Sequence, residues 1–106
     1  SYTNQPNIKT FVDVIDATFI KIIMLHISPI VLYEYCEKID SNFKSEYEKI
    51  MMYDMIDKTE YSWIDKEASK FSYIAMLSWL KKRDQISVLV SYLNEDHGFN
   101  YYYPKL

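Results

Sequence analysis

A single glycine, Gly98, occurs in this chain of 106 residues. Glycine adopts a positive φ angle at no steric cost, and the tight turns of β-hairpins require that conformation. A sheet of many short strands would need several such turns. The shortage of glycine therefore predicts a mostly helical chain whose connections are made by Asp, Asn, Ser and Thr.

The apolar content is large enough for one hydrophobic core. Hydrophobic residues make up 49% of the chain and the net charge is only -3, which is typical of a folded globule rather than a disordered segment. A chain of this length accommodates one core but not two. We therefore expect a single all-α domain over residues 1–106: a compact bundle of four to five helices with an extended aromatic C-terminal tail.

Four helix starts can be predicted from capping signals. Three of them place a hydroxyl three residues before a carboxylate: Thr10 with Asp13, Ser45 with Glu48, and Ser62 with Asp65. This pairing satisfies free amide groups in the first helical turn. Ser28 before Pro29 gives the fourth start, since proline is favoured at the first helical position.

These starts and the apolar periodicity predict helices over residues 9–27, 29–39, 45–57 and 62–83. The first is apolar on nearly every side beyond Ala17, so we expect it to be the central helix. The inward-facing residues predicted from helical spacing are Phe11, Ile15, Phe19, Ile22, Ile23, Leu32, Tyr35, Cys36, Ile39, Tyr47, Ile50, Met51, Met55, Ile64, Ala68, Phe71, Ala75 and Trp79.

The segment QISVLVSYL, residues 85–93, fits two structures. As a helix capped by Asp84 it would place Ile86, Leu89, Val90 and Leu93 on one face, whereas its β-branched residues also suit a strand. The helix is the preferred interpretation. The alternative is an α+β fold with a terminal β-hairpin over residues 85–103.

The most hydrophobic run covers residues 17–36. It contains Lys21, His26 and Pro29, which would place a charge and a helix break inside a membrane span. We therefore predict a buried helix, a turn and a second helix, and no membrane partner. Cys36 is the only cysteine, so no disulfide forms within the chain, and a reducing, cytoplasmic location is expected.

Few residues suggest catalysis or metal binding. His26 and His97 have no partner at ligand spacing, and His26 is expected to be a mostly buried, hydrogen-bonded imidazole. Cys36 is expected to be a small buried hydrophobe whose acidic neighbours raise its pKa. The sequence therefore predicts no catalytic, cofactor-binding or metal-binding residue. The alternative is a small metal-dependent or acid–base enzyme that uses His26, His97 and nearby carboxylates.

Nucleic-acid binding is not favoured by the basic residues. Lys81, Lys82 and Arg83 lie together at the end of a predicted helix, where the helix dipole already favours cations. The chain has one arginine and an isoelectric point near 5.3. Such a chain offers a poor electrostatic surface for phosphates, so no nucleic-acid partner is predicted.

Acidic residues are concentrated in the middle of the chain. Residues 34–67 carry ten negative and five positive charges, and tyrosines and a tryptophan are interleaved with them. One interpretation is a solvated outer face. The other is a surface for a basic protein partner, in which carboxylates steer association and aromatic rings supply binding energy. The candidate partner-binding residues are Glu34, Glu37, Asp40, Asp57, Glu60, Tyr61, Trp63 and Tyr102.

The amino-acid composition indicates an AT-rich gene. Tyr, Ile, Lys, Asn and Phe account for 45 residues, whereas Gly, Ala, Pro and Arg account for eight. In size, acidity and coding bias the chain resembles the small immunity proteins that bacteria carry on mobile genetic elements, which cover the active site of a cognate, often basic toxin. The resemblance is one of type and transfers no residues. A viral protein that engages a host factor would have the same character.

The C-terminal segment HGFNYYYPKL is expected to be mainly structural. Gly98 should stop the preceding helix and turn the chain, because it is the residue with the freest access to positive φ. We expect Phe99, Tyr101 and Tyr103 to close the core and Tyr102 to stay outside. A self-associating structural protein that uses this tail is a further alternative, and sizing before and after its deletion would test it.

Overall fold

The computed structural model describes residues 15–56, 69–96 and 98. Within them the chain forms five helices and no strand: α1 Ala17–His26, α2 Pro29–Ile39, α3 Phe43–Met52, α4 Ser69–Lys82 and α5 Ile86–Asp96. The all-α prediction is confirmed. The alternative β-hairpin is wrong, because a continuous helix occupies Ile86–Asp96 where its first strand would lie. The predicted aromatic tail, residues 99–106, lies outside the described residues.

Helix α2 begins and ends where the sequence predicts. The Val31 amide donates to Ser28 Oγ at 3.3 Å, and Pro29 occupies the first turn. Both features act within four residues, so the local sequence is enough to set the start. The predicted helix, turn and helix over residues 17–36 is confirmed.

No single helix in the described parts of the chain is long and apolar enough to cross a membrane. Helices α1 and α2 reach that length and composition only as a pair, and the pair is bent by 102° at the break between them.

The predicted course of the first helix and the predicted start of the third are wrong. The backbone is not helical at residues 15 and 16, and α1 begins at Ala17 because the Asp16 carboxylate accepts a hydrogen bond from the Phe19 amide at 3.1 Å. An uninterrupted helix over residues 9–27 is therefore excluded, and Thr10 lies outside the described residues. Helix α3 begins at Phe43 rather than Ser45, with no side-chain cap. Phe43 is fully buried, and burying its ring stabilises more than a single capping hydrogen bond does.

The central helix is α4, and not the first helix as the sequence predicts. Helix α4 packs against α1, α2, α3 and α5, and every residue from 73 to 80 is buried. Its sequence explains this position: no charged residue occurs between Lys70 and Lys81, and Ala75 and Ser78 are small enough to admit neighbouring helices closely. Helix α1, by contrast, leaves Leu25 exposed to solvent.

Most predicted core residues in the described ranges are buried or half-buried. Two of them lie at the surface: Ile39 and Met51 are 36% and 39% exposed. Met55 is buried as predicted, but it lies beyond the end of α3 rather than within a helix extending to residue 57. The prediction for α5 is confirmed, since its four inward-facing residues, Ile86, Leu89, Val90 and Leu93, are all buried.

Two aspartates adopt the backbone conformation that glycine usually provides. Asp54 and Asp84 have φ angles of 53° and 54° at the ends of α3 and α4. After α4, the Asp84 amide donates to the Lys81 carbonyl at 3.1 Å and the Gln85 amide donates to the Leu80 carbonyl at 2.9 Å. This pair of bonds is a Schellman motif. Asp84 therefore ends α4, and the prediction that it caps α5 is wrong.

Replacing Asp84 with glycine is expected to raise the free energy of unfolding by about 0.5–1 kcal/mol. A left-handed conformation costs a non-glycine residue about 1–2 kcal/mol, and part of that gain is offset by the greater freedom of glycine in the unfolded chain. The change also removes a negative charge at a helix C-terminus. Urea denaturation measures the effect. Asp84→Asn is the matched control for charge alone, and a lower stability for Asp84→Gly would contradict the prediction.

Candidate protein-binding face

A cluster of aromatic rings joins α2, α3 and α4. Phe43 lies at its centre, with ring centroids 4.8 Å from Trp79 and 4.9 Å from Tyr33, both in edge-to-face geometry. Tyr47 lies 5.2 Å from Tyr33 and 5.5 Å from Phe43. Edge-to-face pairs contribute about 0.5–1.5 kcal/mol beyond their buried area. The cluster therefore fixes α2 beside α3 and holds the outer surfaces of these two helices in a defined arrangement.

Glu46 and Arg83 close one edge of this cluster. Glu46 Oε1 accepts hydrogen bonds from Trp79 Nε1 at 2.8 Å and from Arg83 at 2.5 Å. The Arg83 guanidinium lies over the Trp79 ring, 4.1 Å from its centroid. The Glu46 carboxylate is thus paired within the fold, while 38% of its side chain remains exposed.

Tyrosine hydroxyls also serve the fold. The Tyr47 hydroxyl is 2.8 Å from Ser72 Oγ, and the Tyr73 hydroxyl donates to the Ile27 carbonyl. Buried tyrosines normally find such a partner for the hydroxyl group. The sequence suggested that tyrosines of the acidic region, Tyr47 among them, act as binding anchors. The Tyr47 side chain instead joins α3 to α4.

Glu34, Glu37 and Glu48 form what we call the acidic face. All three side chains are exposed, the first two on α2 and the third on α3. The pKa of the half-buried Tyr33 is raised, first by partial burial of its hydroxyl and then by the carboxylates of Glu37 and Glu48. The Tyr33 and Tyr47 rings, 5.2 Å apart, join the two helices that carry these carboxylates. None of the three forms an ion pair with another residue in the described parts of the chain.

The predicted partner-binding residues are only partly brought together. Glu34 and Glu37 are exposed one helical turn apart on α2. Asp40 is half-buried at the end of α2, where its Oδ1 accepts a hydrogen bond from the Asn42 amide at 2.9 Å, so it acts mainly in the turn. The remaining candidates lie outside the described residues: Asp57, Glu60, Tyr61, Trp63 and Tyr102.

One of the two histidines considered for catalysis differs from expectation. His26 is exposed at the last position of α1, so the prediction of a mostly buried imidazole is wrong. His26 lies on the same side of α1 as the buried Phe19 and Ile23, so its exposure arises from its place at the end of the helix. His97 lies outside the described residues. In the ranges 15–56 and 69–96, no group of three potential metal ligands occurs.

Cys36 is buried, as predicted. The prediction that acidic neighbours raise the pKa of its thiol is wrong. Burial raises the pKa of the thiol from 9.0 to about 12, and the positive charge of Arg83 opposes this increase. The acidic neighbours Glu34 and Glu37 point to solvent and do not contribute. A thiol with this pKa is almost entirely protonated near neutral pH, so it is not a nucleophile there.

One surface residue of interest was missed by the sequence reasoning. Ile30 is 71% exposed at the start of α2. Its spacing of four and seven residues from Glu34 and Glu37 places all three on one side of the helix. The spacing of Ile30, Glu34 and Glu37 is present in the sequence, whereas apolar periodicity identifies only the inward side of α2.

The fold and this surface define a class: a small all-α domain with carboxylates of two helices grouped over an aromatic cluster. In comparisons with known proteins, no family model matches the chain, and no curated protein or solved structure matches it either. The residues of this chain are therefore the source of information on its function.

Proposed function

We propose that this chain is a small non-enzymatic protein-binding domain whose acidic face docks onto a basic surface of a partner protein. The observation that carries the proposal is the exposure of Glu34 and Glu37 on α2 and of Glu48 on α3, two helices joined by the contact of the Tyr33 and Tyr47 rings at 5.2 Å. Like charges held close together on a rigid surface repel each other. A partner that supplies lysine or arginine at this position would turn the repulsion into attraction.

The charge balance around the acidic face supports a basic partner. Residues 29–56 contain six acidic side chains and three lysines, at positions 38, 44 and 49. The lysines are exposed on the same two helices, so the surface is patterned rather than uniformly negative. Patterned charges favour one orientation of a partner and disfavour others, and they increase the rate of association.

An immunity or inhibitor protein is the specific role that fits best. A cytoplasmic protein of this kind would neutralise a cognate toxin or effector, and such targets are often basic. The size, the acidic middle segment and the AT-rich coding of the chain support this role. A viral protein that engages a host factor shares these features, and identification of the partner separates the two.

Charge reversal on the acidic face is expected to weaken the complex. With a partner identified from the neighbouring gene or by stoichiometric co-purification, Glu34→Lys and Glu37→Lys should each raise Kd by about tenfold, mainly through slower association. Raising the salt concentration should weaken binding of the unaltered protein as well. Surface plasmon resonance at several salt concentrations measures both effects.

Glu95→Lys provides the matched control, because Glu95 is an exposed glutamate on α5 and its replacement changes the net charge equally. It should leave Kd nearly unchanged. The proposal fails if no stoichiometric partner is recovered. It also fails if Glu95→Lys weakens the complex as much as Glu37→Lys does.

A further inference from the structure

Three aliphatic side chains are exposed at the corner between α1 and α2. Leu25 is 84% exposed at the end of α1, and Ile30 and Val31 are 71% and 40% exposed at the start of α2. Single exposed aliphatic residues are ordinary on protein surfaces, whereas a group of them is typical of an interaction site. This corner is therefore a candidate contact surface that the charge argument does not include.

Ile30 lies on the same side of α2 as Glu34 and Glu37. Positions 30, 34 and 37 are separated by four and three residues, which aligns their side chains along the helix. The stripe from Ile30 to Glu37 is about 10 Å long at 1.5 Å per residue. Glu48 is exposed on the neighbouring helix α3, next to Tyr47, whose ring lies 5.2 Å from the Tyr33 ring of α2. The surface is thus apolar at one end and acidic at the other.

We propose that this surface, formed by Ile30, Glu34, Glu37 and Glu48 beside the α1–α2 corner, binds a basic amphipathic helix of the partner protein. An apolar side chain of that helix packs on Ile30, and lysines or arginines one to two turns away pair with the carboxylates. The inference rests on the proposed function and specifies which structural element the partner contributes. Helices with apolar and basic residues at such spacing are a recurring mode of recognition.

Charge complementarity favours this occupant over two others. The surface of a cellular membrane is anionic, so Glu34 and Glu37 would be repelled as Ile30 approached it. A second copy of the chain related by twofold symmetry would contribute the same surface, with its carboxylates and no basic residue to pair with them. A basic amphipathic helix satisfies both ends of the stripe, because it covers the aliphatic side chains and neutralises the glutamates.

Titration with synthetic peptides, followed by NMR of the ¹⁵N-labelled full chain, tests the inference. The probe is a helical peptide of leucine and lysine at amphipathic spacing. One control peptide replaces leucine with serine, and the other replaces lysine with glutamate. The leucine–lysine peptide should shift the amide signals of the proposed surface and bind about tenfold more tightly than the lysine–serine peptide, since burying one aliphatic side chain is enough for that factor.

Two pairs of variants separate the apolar and acidic contributions. Ile30→Ser should raise the Kd for the leucine–lysine peptide about tenfold. Val88→Ser, at a 49% exposed position on α5, should leave that Kd unchanged. Glu37→Lys should raise the Kd by a similar factor, whereas Glu95→Lys should not. All four positions are exposed, so none of the changes should disturb the core. Circular dichroism and thermal unfolding check that each variant is folded.

Several results would overturn the inference. Signal shifts confined to another surface would do so, as would equal effects of Ile30→Ser and Val88→Ser. Binding to neutral lipid vesicles that is lost in Ile30→Ser would assign the corner to a membrane, and a dimer lost in that variant would assign it to a second copy. If the natural partner is sensitive to Glu37→Lys but not to Ile30→Ser, only the amphipathic helix is refuted. If it is insensitive to both, the proposed function fails as well.

Discussion

Phe43→Ala is expected to lower the free energy of unfolding by about 3–5 kcal/mol, the range typical of removing a fully buried phenylalanine ring. Phe43 has no exposed surface, and its ring contacts Tyr33, Tyr47 and Trp79 on three different helices. The alanine variant leaves a cavity at the point where α2, α3 and α4 meet. Urea denaturation followed by tryptophan fluorescence measures the loss.

Met52→Ala is the matched control for Phe43→Ala, because Met52 lies on the same helix and is 70% exposed. It should change stability by less than about 0.5 kcal/mol. Phe43→Leu keeps much of the apolar volume, so it provides a measurable intermediate if the alanine variant does not fold. A loss below about 1 kcal/mol for Phe43→Ala would contradict the central position of this ring.

Cys36 is expected to make the fold sensitive to alkaline pH. Burial raises the pKa of its thiol from 9.0 to about 12, so the folded chain holds the proton more tightly than the unfolded chain. This contribution to stability is complete below pH 9 and is lost as the pH rises towards 12. The slope is about 1.4 kcal/mol per pH unit, which amounts to about 2 kcal/mol at pH 10.5.

The Cys36→Ala variant isolates this effect. It should lack the loss of stability between pH 9 and pH 10 that the unaltered protein shows. The pKa values of Tyr33 and Tyr35 are also raised, mainly by burial, so both proteins should lose further stability above pH 10. Urea denaturation across this pH range measures the difference between the two slopes.

Reaction with a thiol reagent gives an independent test of the same burial. Because Cys36 is the only cysteine, the whole signal reports on this one site. The native protein should react far more slowly than the chain unfolded in concentrated urea. Equal rates in the two states, or identical alkaline slopes for Cys36→Ala and the unaltered protein, would contradict the buried, protonated thiol.

Helix α2 shows how far local sequence determines this fold. Ser28 and Pro29 set its start, and both act on amide groups no more than four residues away. Helix α5 was predicted from its apolar spacing for the same reason. The start of α3 was predicted wrongly, because Phe43 enters the helix to reach partners on α2 and α4, and no signal within the segment itself reveals such partners.

The acidic face was predictable only in part. Exposure of Glu34 and Glu37 follows from their positions opposite Leu32 and Cys36 on α2. Their grouping with Glu48 depends on how α2 packs beside α3, which the sequence does not indicate. The apolar run around His26 predicts burial, but His26 is the last residue of α1, and exposure at a helix end depends on which other elements pack beside it.

By itself, the sequence determined that this protein is helical and, for α2 and α5, where helices lie. Glycine content, hydroxyl caps and apolar spacing act over distances of a few residues, so they can be read directly from the chain. Only the tertiary structure decided that α4 is the central helix and that Glu46 serves the core while Glu37 and Glu48 converge at the surface. These features depend on contacts such as Glu46 with Arg83, 37 residues apart, whose geometry is set by the packing of whole helices.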